Sequence, residues 1–378
     1  MSVTVQRLSH LAPIEDRLRR AWDRWPKSSP MQSYAWLSTW FDIVPDETLA
    51  EPCLVVVRRD EEPIGLAPFY VDMNAVGMRT LRCLGDGNVC SDHASLLIRP
   101  GEEAPVVEAI VAWMRRGHGR LWDVVRFESI DAGASPLREL WGKFGDEESV
   151  RLEPAAPACW TVELPDTVEQ YFAELSRNHR KRCRRWWREY FESGRARAFV
   201  YRREEMAQGW NELEKLNRAR RETVGDRSAF LDRRFQRFHR EVLPLLATEG
   251  AAELQGLTLD GRTAAVEYLL KHERTLYCYQ SGMDPTVGDG VGPGNLSLLA
   301  MFCRAIEEGY RRVDFLRGDE AYKQHWNAVR RPCTDLYAAS ASWAGRADVL
   351  RRRAMDWARS LRRRPNRASH CLTAAAMS

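Results

Sequence analysis

This 378-residue chain has nine cysteines but no Cys-x-x-Cys motif, and the spacing of the cysteines is irregular. An odd count without such motifs argues against a disulfide framework and against a zinc site. The run Cys90–His93 offers two metal ligands, but no second pair stands near it. Several cysteines lie in apolar runs, where a thiol acts as a small core side chain. We therefore expect free thiols, no metal and a reducing cytoplasm.

Long apolar runs are also missing, and none approaches the roughly 18 residues that a membrane-spanning helix needs. The segment Met1–Ile14 lacks the charged region followed by an apolar core that marks a secretion signal. Acidic and basic side chains nearly balance, with 53 of the former, 57 of the latter and a net charge of +4. This mild basic balance does not by itself indicate a nucleic-acid-binding protein.

Hydrophobic residues make up 44% of the chain and include 14 tryptophans, which is enough to build packed interiors. A chain of this length favours two domains over a single core. The stretch Pro154–Pro157 is the candidate linker. We therefore predict domains over residues 1–157 and 158–345, followed by a basic helix and tail over residues 346–378.

Hydrophobic periodicity and turn signals predict a mixed α/β fold in both halves of the chain. In the N-terminal half, a pair of helices precedes a hairpin that turns at Asp60–Pro63, and short strands and two further helices follow. The C-terminal half begins with a long helix over Val168–Ser193. A strand, two helices, three antiparallel strands that first turn at Asp260–Gly261, a helix and a strand come next. A short helix over Tyr322–Val329 and a strand over Asp335–Ser342 complete the prediction.

The segment Arg311–Trp326 is the most informative stretch of the chain. A short apolar run, Val313–Leu316, carries the acid Asp314 in its middle and breaks at Gly318 into a cluster of acids, bases and a phenol. A strand that ends in such a turn can present reactive side chains at the edge of a sheet. The alternative is a strand followed by a solvated loop.

The run Asp314–Trp326 reads Asp-Phe-Leu-Arg-Gly-Asp-Glu-x-Tyr-Lys-x-x-Trp and resembles the signature of the acetyltransferase-like domain of CelD-type cellulose-biosynthesis proteins. That family belongs to the GNAT acetyltransferase superfamily and is related to the FemAB peptidyltransferases. Three further segments resemble it in the same order, namely Gln32–Trp40, Asn178–Gly194, and Ser281–Pro285 with the glycines that follow. The resemblance implies two GNAT-like domains in tandem, the second an acyltransferase domain that takes acetyl-CoA or another acyl-CoA as co-substrate.

Direct acyl transfer to an amine needs a base, a donor to the carbonyl oxygen, an acid for the departing thiolate and backbone N–H groups for the pyrophosphate. A glycine-rich run precedes a predicted helix at the position where the GNAT superfamily holds pyrophosphate. Its candidate cofactor-binding residues are Gly290, Gly292, Gly294 and Asn295. The superfamily's Arg/Gln-x-x-Gly-x-Gly/Ala pattern is not cleanly present, because Val287 and Asp289 depart from it. A flexible glycine loop is therefore the alternative.

Two acids in apolar strands are candidates for the base. Glu267 interrupts the run Ala264–Leu270, where a lone acid more often faces solvent than serves in proton transfer with a raised pKa. Asp314 shares a strand face with Leu316, so we expect it to be partly buried. Tyr322 is the candidate acid for the thiolate, or else holds the acyl group. The remaining candidates are Asp319 for catalysis and Arg317, Lys323 and His325 for substrate binding.

Two segments rich in basic residues each allow a binding role or a purely structural role. Seven basic side chains lie between Arg177 and Arg188, and they either bind a phosphate-bearing donor or form the solvated face of a helix. The triplets Arg351–Arg353 and Arg362–Arg364 flank apolar residues, as in a helix that lies on an anionic membrane. The alternative is a solvated terminal helix with a disordered end.

These observations favour a cytoplasmic acyl-CoA-dependent N- or O-acyltransferase, with peripheral membrane contact through the basic C-terminus. Its expected acceptor is a sugar, an exopolysaccharide precursor or a small amine, and we expect no DNA partner. The first alternative is a FemAB-type transferase that uses aminoacyl-tRNA as the donor. The second is a non-catalytic accessory protein of polysaccharide synthesis.

Overall fold

A computed structural model describes residues 2–43, 49–87, 91–145, 149–287 and 290–362, with side chains to residue 355. The described residues form one mixed sheet of fourteen strands, with helices on both faces. In chain order the strands are β1 (Val3–Leu8), β2 (Leu49–Arg59), β3 (Glu62–Met73), β4 (Arg79–Cys83), β5 (Leu97–Ile98), β6 (Val124–Asp131), β7 (Val150–Leu152), β8 (Ala155–Glu163), β9 (Ala196–Val200), β10 (Ala252–Leu259), β11 (Arg262–His272), β12 (Thr275–Met283), β13 (Arg312–Arg317) and β14 (Val329–Ala339).

Helices connect these strands along the chain. They are α1 (Asp16–Arg24), α2 (Tyr34–Ile43), α3 (Glu103–Gly117), α4 (Pro136–Lys143), α5 (Val168–Glu174), α6 (Arg177–Trp186), α7 (Met206–Thr223), α8 (Arg233–Thr248), α9 (Pro293–Glu307), α10 (Tyr322–His325) and α11 (Trp343–Arg362). A π-helical turn, Trp187–Glu192, extends α6.

The last strand of the chain joins the two halves of the sheet. The strand order is β1-β2-β3-β4-β6-β14-β8-β13-β12-β11-β10-β9, while β5 pairs with β3 and β7 pairs with β14. β14 therefore lies between β6 and β8. It pairs antiparallel with β6 from Cys333 opposite Asp131 to Ala339 opposite Val124. The N-terminal and C-terminal strands thus share one hydrogen-bonded sheet.

Two hairpins form where the turn residues predict them. Asp260 (φ +48) and Gly261 (φ +80) connect β10 to β11, and Asp60 (φ +47) and Glu61 (φ +70) connect β2 to β3. Two successive residues in the left-handed region give a tight turn whose twist matches that of the flanking strands. Both hairpin predictions are confirmed.

Alternating side chains of the C-terminal strands enter two different cores. Val266 and Tyr268 of β11 pack in the core that contains residues of α7 and α8. Ala265 and Leu269, from the same strand, pack in the core that contains residues of α9. α7 and α9 therefore cover opposite faces of the sheet.

The predicted helix over Val168–Ser193 is wrong as a single element, because the chain breaks between α5 and α6. Leu175 and Ser176 have extended ψ angles of 150° and 144°. The Ser176 hydroxyl accepts a hydrogen bond from the backbone N–H of His179 and so caps α6. This local cap competes with continuation of the helix, although the apolar stripe runs past the break.

Two predicted boundaries near the shared strands also differ from the structure. The candidate linker Pro154–Pro157 contains the beginning of β8, which pairs with β14 from Ala155 onward. The predicted division at residues 157/158 falls within β8, and the domain division stays a prediction. β14 begins at Val329, before the predicted Asp335, because α10 already ends at His325.

The C-terminal helix α11 carries both exposed apolar and basic side chains. Trp343 is 75% exposed, and Arg351 and Arg352 pair with Asp348. None of the described helices combines the length and the apolarity that crossing a membrane would require. Residues 363–378, with the end of the second arginine triplet, lie outside the described residues, so contact with a membrane surface stays a prediction.

Candidate active site

The site is built around a split between two parallel strands. β12 and β13 pair only from Thr275 to Tyr277 of β12, although β12 continues to Met283. β13 turns away at Leu316, whose backbone is left-handed (φ +57) and whose N–H donates to the Asp314 carboxylate at 2.7 Å. Past the last of these pairs, no described strand covers this edge of β12. A cavity of about 430 Å³ opens there.

The cavity is lined from both faces of the sheet. α7 contributes to one side and the beginning of α9 to the other. The lining residues are Asn217, Arg220, Arg221, Glu267, Cys278, Tyr279, Gln280, Ser281, Met283, Gly292, Gly294, Asn295, Leu298, Phe315, Arg317, Glu320, Tyr322 and Lys323. Seven of the residues that the sequence marks as candidates are therefore brought together: Glu267, Gly292, Gly294, Asn295, Arg317, Tyr322 and Lys323.

Glu267 is the buried acid of this cavity. It stands on β11 with 4% of its surface exposed, so the expectation that this acid faces solvent is wrong. Burial raises its pKa to about 8, although the Ser297 hydroxyl beside it opposes the shift. Such a carboxyl changes its charge close to neutral pH, which is the property that a general base needs.

Tyr322 begins α10 and opens onto the same cavity. The residue is 41% exposed. Desolvation raises the pKa of its phenol, and the acids Glu267 and Glu320 add to the increase, while Arg221 opposes it. The phenol therefore keeps its proton at physiological pH and can donate it.

The first turn of α9 faces the cavity, and the Asn295 backbone N–H donates to the Gly292 carbonyl at 2.9 Å. Gly292 is the N-cap residue and makes no side-chain capping bond, and Pro293 follows it. A Cβ at Gly294 would lie 2.5 Å from the Met283 Cε, so a larger residue at this position would clash with the Met283 side chain. Asn295 lines the cavity, whereas Gly290 (φ +81) does not. Gly288 and Asp289 lie outside the described residues.

The two predicted substrate-binding cations on this side already have protein partners. Arg317 donates from its guanidinium to the carboxylate of Asp92 and from its backbone N–H to the same group at 3.1 Å. Lys323 is 2% exposed, and its ammonium donates to the Gly318 carbonyl at 2.8 Å and pairs with Glu320 at 2.9 Å. Both side chains therefore hold the turn after β13 in place.

Asp314 is buried, as predicted, but it does not line the cavity. Its Oδ2 lies 3.0 Å from the Nε2 of His93, a residue of the N-terminal half. Burial of His93 opposes its protonation, but the hydrogen bond and the charge of Asp314 prevail and raise the pKa of His93 to about 9. Asp314 thus joins the two halves of the chain and supports the turn at Leu316.

Two other candidates also lie away from the cavity. The Asp319 carboxylate accepts a hydrogen bond from the Trp160 indole at 3.1 Å. The His325 ring stacks on His179, with ring centroids 5.8 Å apart. Neither side chain lines the cavity.

Sequence reasoning missed the contribution of α7. The Asn217 amide donates to the Ser281 carbonyl at 2.7 Å and fixes the helix against the end of β12. Arg220 and Arg221 follow one turn later and enter the cavity. The signal available in the sequence was an asparagine next to Leu213 and Leu216 in the apolar stripe of a helix, but a polar residue in such a stripe has many explanations.

No metal site is visible in the segments of the chain that the structure describes. No group of three or more His, Cys, Asp or Glu side chains within them could hold a metal ion. Cys90, the first residue of the ligand-like run, lies outside these segments. The expectation that the protein binds no metal therefore stays a prediction.

Residues 177–324 match a family model described as Acetyltransferase (GNAT) domain. The C-terminal half of the chain carries a GNAT acetyltransferase domain. Its bounds enclose Glu267, Tyr322 and the first turn of α9, and the match confirms the prediction that the chain is an acyltransferase. A sequence search of curated proteins finds no match.

Solved structures are similar to this chain in fold. FemX has a TM-score of 0.61 at 11% identity, over 89% of this chain and 97% of FemX. A conserved protein of unknown function from Bacteroides thetaiotaomicron VPI-5482 has a TM-score of 0.53 at 11% identity, over 89% and 100%. The C-terminal domain of a putative lysylphosphatidylglycerol synthetase from Agrobacterium fabrum has a TM-score of 0.51 at 9% identity, over 83% and 94%. These likenesses concern the fold, and the predicted class, a mixed α/β fold of two tandem GNAT-like domains, is confirmed.

Proposed function

We propose that this protein transfers an acyl group from an acyl-CoA directly to an amine or hydroxyl group of a sugar, an exopolysaccharide precursor or a small amine. The observation that carries the proposal is the cavity at the split of β12 and β13, where Glu267, Tyr322 and the first turn of α9 face one space. The resemblance of Asp314–Trp326 to the CelD-type signature supports the class of acceptor.

In this proposal the donor lies along the split. Its pyrophosphate is held at the first turn of α9, because the helix dipole favours an anion there and the N-cap residue Gly292 makes no side-chain capping bond. Gly292 and Gly294 let the phosphates approach the backbone closely. The edge of β12 past Tyr277 has no strand partner among the described residues, so the thioester can lie against this edge of the sheet.

Glu267 and Tyr322 divide the proton transfers. Glu267 accepts the proton of the attacking amine or hydroxyl, while Tyr322 donates a proton to the sulfur of the departing thiolate. The new N–C or O–C bond forms as the C–S bond breaks. Asp314 and Asp319 take no part in these steps, because both are bound to other protein groups outside the cavity.

Calorimetric titration of the protein with acetyl-CoA, repeated with CoA, tests the donor. We expect saturable binding to a single site per chain, followed by turnover in a screen of amines and sugars. The variant Glu267→Gln should still bind acetyl-CoA but turn it over far more slowly, because the change keeps the shape of the side chain and removes the base. Absence of binding at millimolar acetyl-CoA would overturn the acyl-CoA proposal.

Aminoacyl-tRNA is the second candidate donor, and two observations favour it. FemX is similar in fold over 89% of this chain, and aminoacyl-tRNA is the donor that resemblance to the FemAB transferases implies. α6 also exposes Lys181, Arg184 and Arg185 while it buries Cys183 and Trp186. The test is whether transfer by the protein in a cell extract stops after ribonuclease treatment and returns with added aminoacyl-tRNA but not with acetyl-CoA.

A further inference from the structure

The α7 side of the cavity carries positive charge that the protein leaves without a counter-charge. Four cations line the cavity, namely Arg220, Arg221, Arg317 and Lys323. Arg317 is bound by Asp92, Lys323 by Glu320, and Arg221 donates to Asp226 at 3.0 Å. For Arg220, by contrast, no ion pair or hydrogen bond with any described residue is present.

The acids of the cavity do not offset this charge. Glu320 already pairs with Lys323 at 2.9 Å. The raised pKa of Glu267 keeps much of its population neutral at physiological pH. The α7 side of the cavity is therefore positive when the site is empty, and a guanidinium in this position can form two parallel hydrogen bonds to a carboxylate or a phosphate.

Close contacts with β12 fix the position of α7 and so hold the Arg220 guanidinium at the cavity. A Cβ on Gly282 would lie 2.7 Å from the Asn217 backbone N and 2.7 Å from the Leu213 backbone O, so the helix rests directly on the end of β12. Asn217 also accepts a hydrogen bond from the Ser228 hydroxyl at 2.7 Å. These contacts hold the last turns of α7 at the cavity, across the sheet from the start of α9.

We propose that Arg220 binds an acidic group, a carboxylate or a phosphate, on the acceptor, so that the natural acceptor is an amine or a sugar that carries such a group. The inference rests on the proposed acyl-transfer function, in which the donor phosphates occupy the other face at α9. Arg220 then selects the acceptor and takes no part in the proton transfers.

Matched pairs of acceptors test this selection with acetyl-CoA as the donor. Suitable pairs are glucosamine 6-phosphate with glucosamine, and β-alanine with its amide, so that phosphate and carboxylate are compared separately. We expect kcat/KM for the acidic member of at least one pair to exceed that of the neutral member by about 10- to 100-fold, the range for a charge-assisted pair of hydrogen bonds. Equal use of both members in both pairs would overturn the proposal.

Variants at Arg220 then separate selection from general damage. Arg220→Met should remove the preference for the acidic acceptor, mainly through KM. Arg220→Lys should restore part of the preference, because it keeps the charge but not the paired hydrogen bonds. The matched control is Arg218→Met on the same helix, whose side chain pairs with Glu214 and does not line the cavity. A loss of acetyl-CoA affinity in Arg220→Met, with the acceptor preference intact, would assign Arg220 to the donor and overturn the proposal.

A binding measurement distinguishes failure of this inference from failure of the proposed function. If acetyl-CoA supports no turnover with any acceptor, the proposed function fails. Calorimetry with glucosamine 6-phosphate and glucosamine then still tests whether Arg220 binds an acidic group. Tighter binding of the phosphorylated sugar by the wild type than by Arg220→Met would support the acidic-ligand site. Equal binding by the two proteins would overturn it.

Discussion

The same strand arrangement occurs twice in this molecule, and the two copies differ in what fills them. In the N-terminal half β4 and β6 pair in parallel only at Thr80 opposite Val124 and Leu81 opposite Val125, much as β12 and β13 pair over a short ladder. A hollow of about 140 Å³ lies beside the paired residues Thr80 and Val124, and Asp348, Arg351 and Arg352 of α11 line it as well. The cavity at the C-terminal split has a volume of about 430 Å³.

Near β4 and β6 in the N-terminal half, charged side chains form ion pairs and hydrogen bonds with one another. Arg82 lies 2.7 Å from Asp86 and 3.3 Å from Glu128, and the Tyr70 hydroxyl donates to Asp86 at 2.6 Å. Burial raises the pKa of Asp86 to about 6, although Arg82 and Tyr70 oppose the increase. Glu267, in contrast, forms no ion pair with any Lys or Arg that the structure describes. The fold thus contains the same strand arrangement twice, and the two copies differ in whether the buried acid beside it has a cationic partner among the described residues.

The largest expected effect is on catalysis at Glu267. Glu267→Gln should lower kcat for transfer from acetyl-CoA by about 10²- to 10⁴-fold, the usual contribution of a general base. In the wild type kcat/KM should rise with pH with a midpoint near 8, because the base must be ionised, and the variant should lack this rise. Glu273→Gln is the control, since that acid is exposed in the β11–β12 turn. Full activity in Glu267→Gln would remove Glu267 from the mechanism.

Breaking the N-terminal network should affect stability without affecting chemistry. Arg82→Ala leaves the buried Asp86 without its cation, so we expect the free energy of unfolding to fall by about 3–5 kcal/mol. Urea unfolding measures this loss, and kcat of the folded enzyme should not change. Arg17→Ala, which breaks an exposed pair with Glu62, should cost less than about 1 kcal/mol. A similar small cost for Arg82→Ala would show that the network does not stabilise the folded protein.

The contact between the two halves of the chain should depend on pH. The pKa of His93 is raised to about 9, so its stabilising effect is fully present below about pH 6.5 and is lost as the pH rises through about 9. The stability difference between wild type and His93→Gln should therefore be larger at pH 6 than at pH 10, by about 3 kcal/mol. Urea unfolding at both pH values measures it. A difference independent of pH would mean that His93 does not titrate in the folded protein.

The smallest expected effect concerns the departing thiolate. Tyr322→Phe removes the proton donor, and we expect kcat to fall by about 10-fold, below the usual effect of a general acid, because a thiolate leaves readily without a proton. Tyr310→Phe is the control, because that tyrosine does not line the cavity. A steady-state comparison of kcat at saturating acetyl-CoA makes the measurement. Unchanged kcat in Tyr322→Phe would leave the thiolate to depart unassisted.

Much of the candidate site can be predicted from the sequence, and the errors in the prediction have one common cause. The short signature contains Arg317, Tyr322 and Lys323, and all three line the cavity. It also contains Asp314, whose neighbour His93 comes from the N-terminal half of the chain. The partner of Arg317, Asp92, lies 225 residues away in sequence. A motif can bring reactive residues near one another, but it does not reveal which of them a distant segment will bind.

The sequence by itself determined the local features of this protein. Hydrophobic alternation, the Asp260–Gly261 turn and the order of the elements were sufficient for the mixed α/β class, because they depend on neighbours a few residues away. The tertiary structure decided that Glu267 is buried, that Asp314 is bound to His93 and that Arg220 enters the cavity without a counter-charge. Burial, pKa and ion pairing depend on which distant segments meet, and that meeting is set by the packing of the whole sheet and its helices.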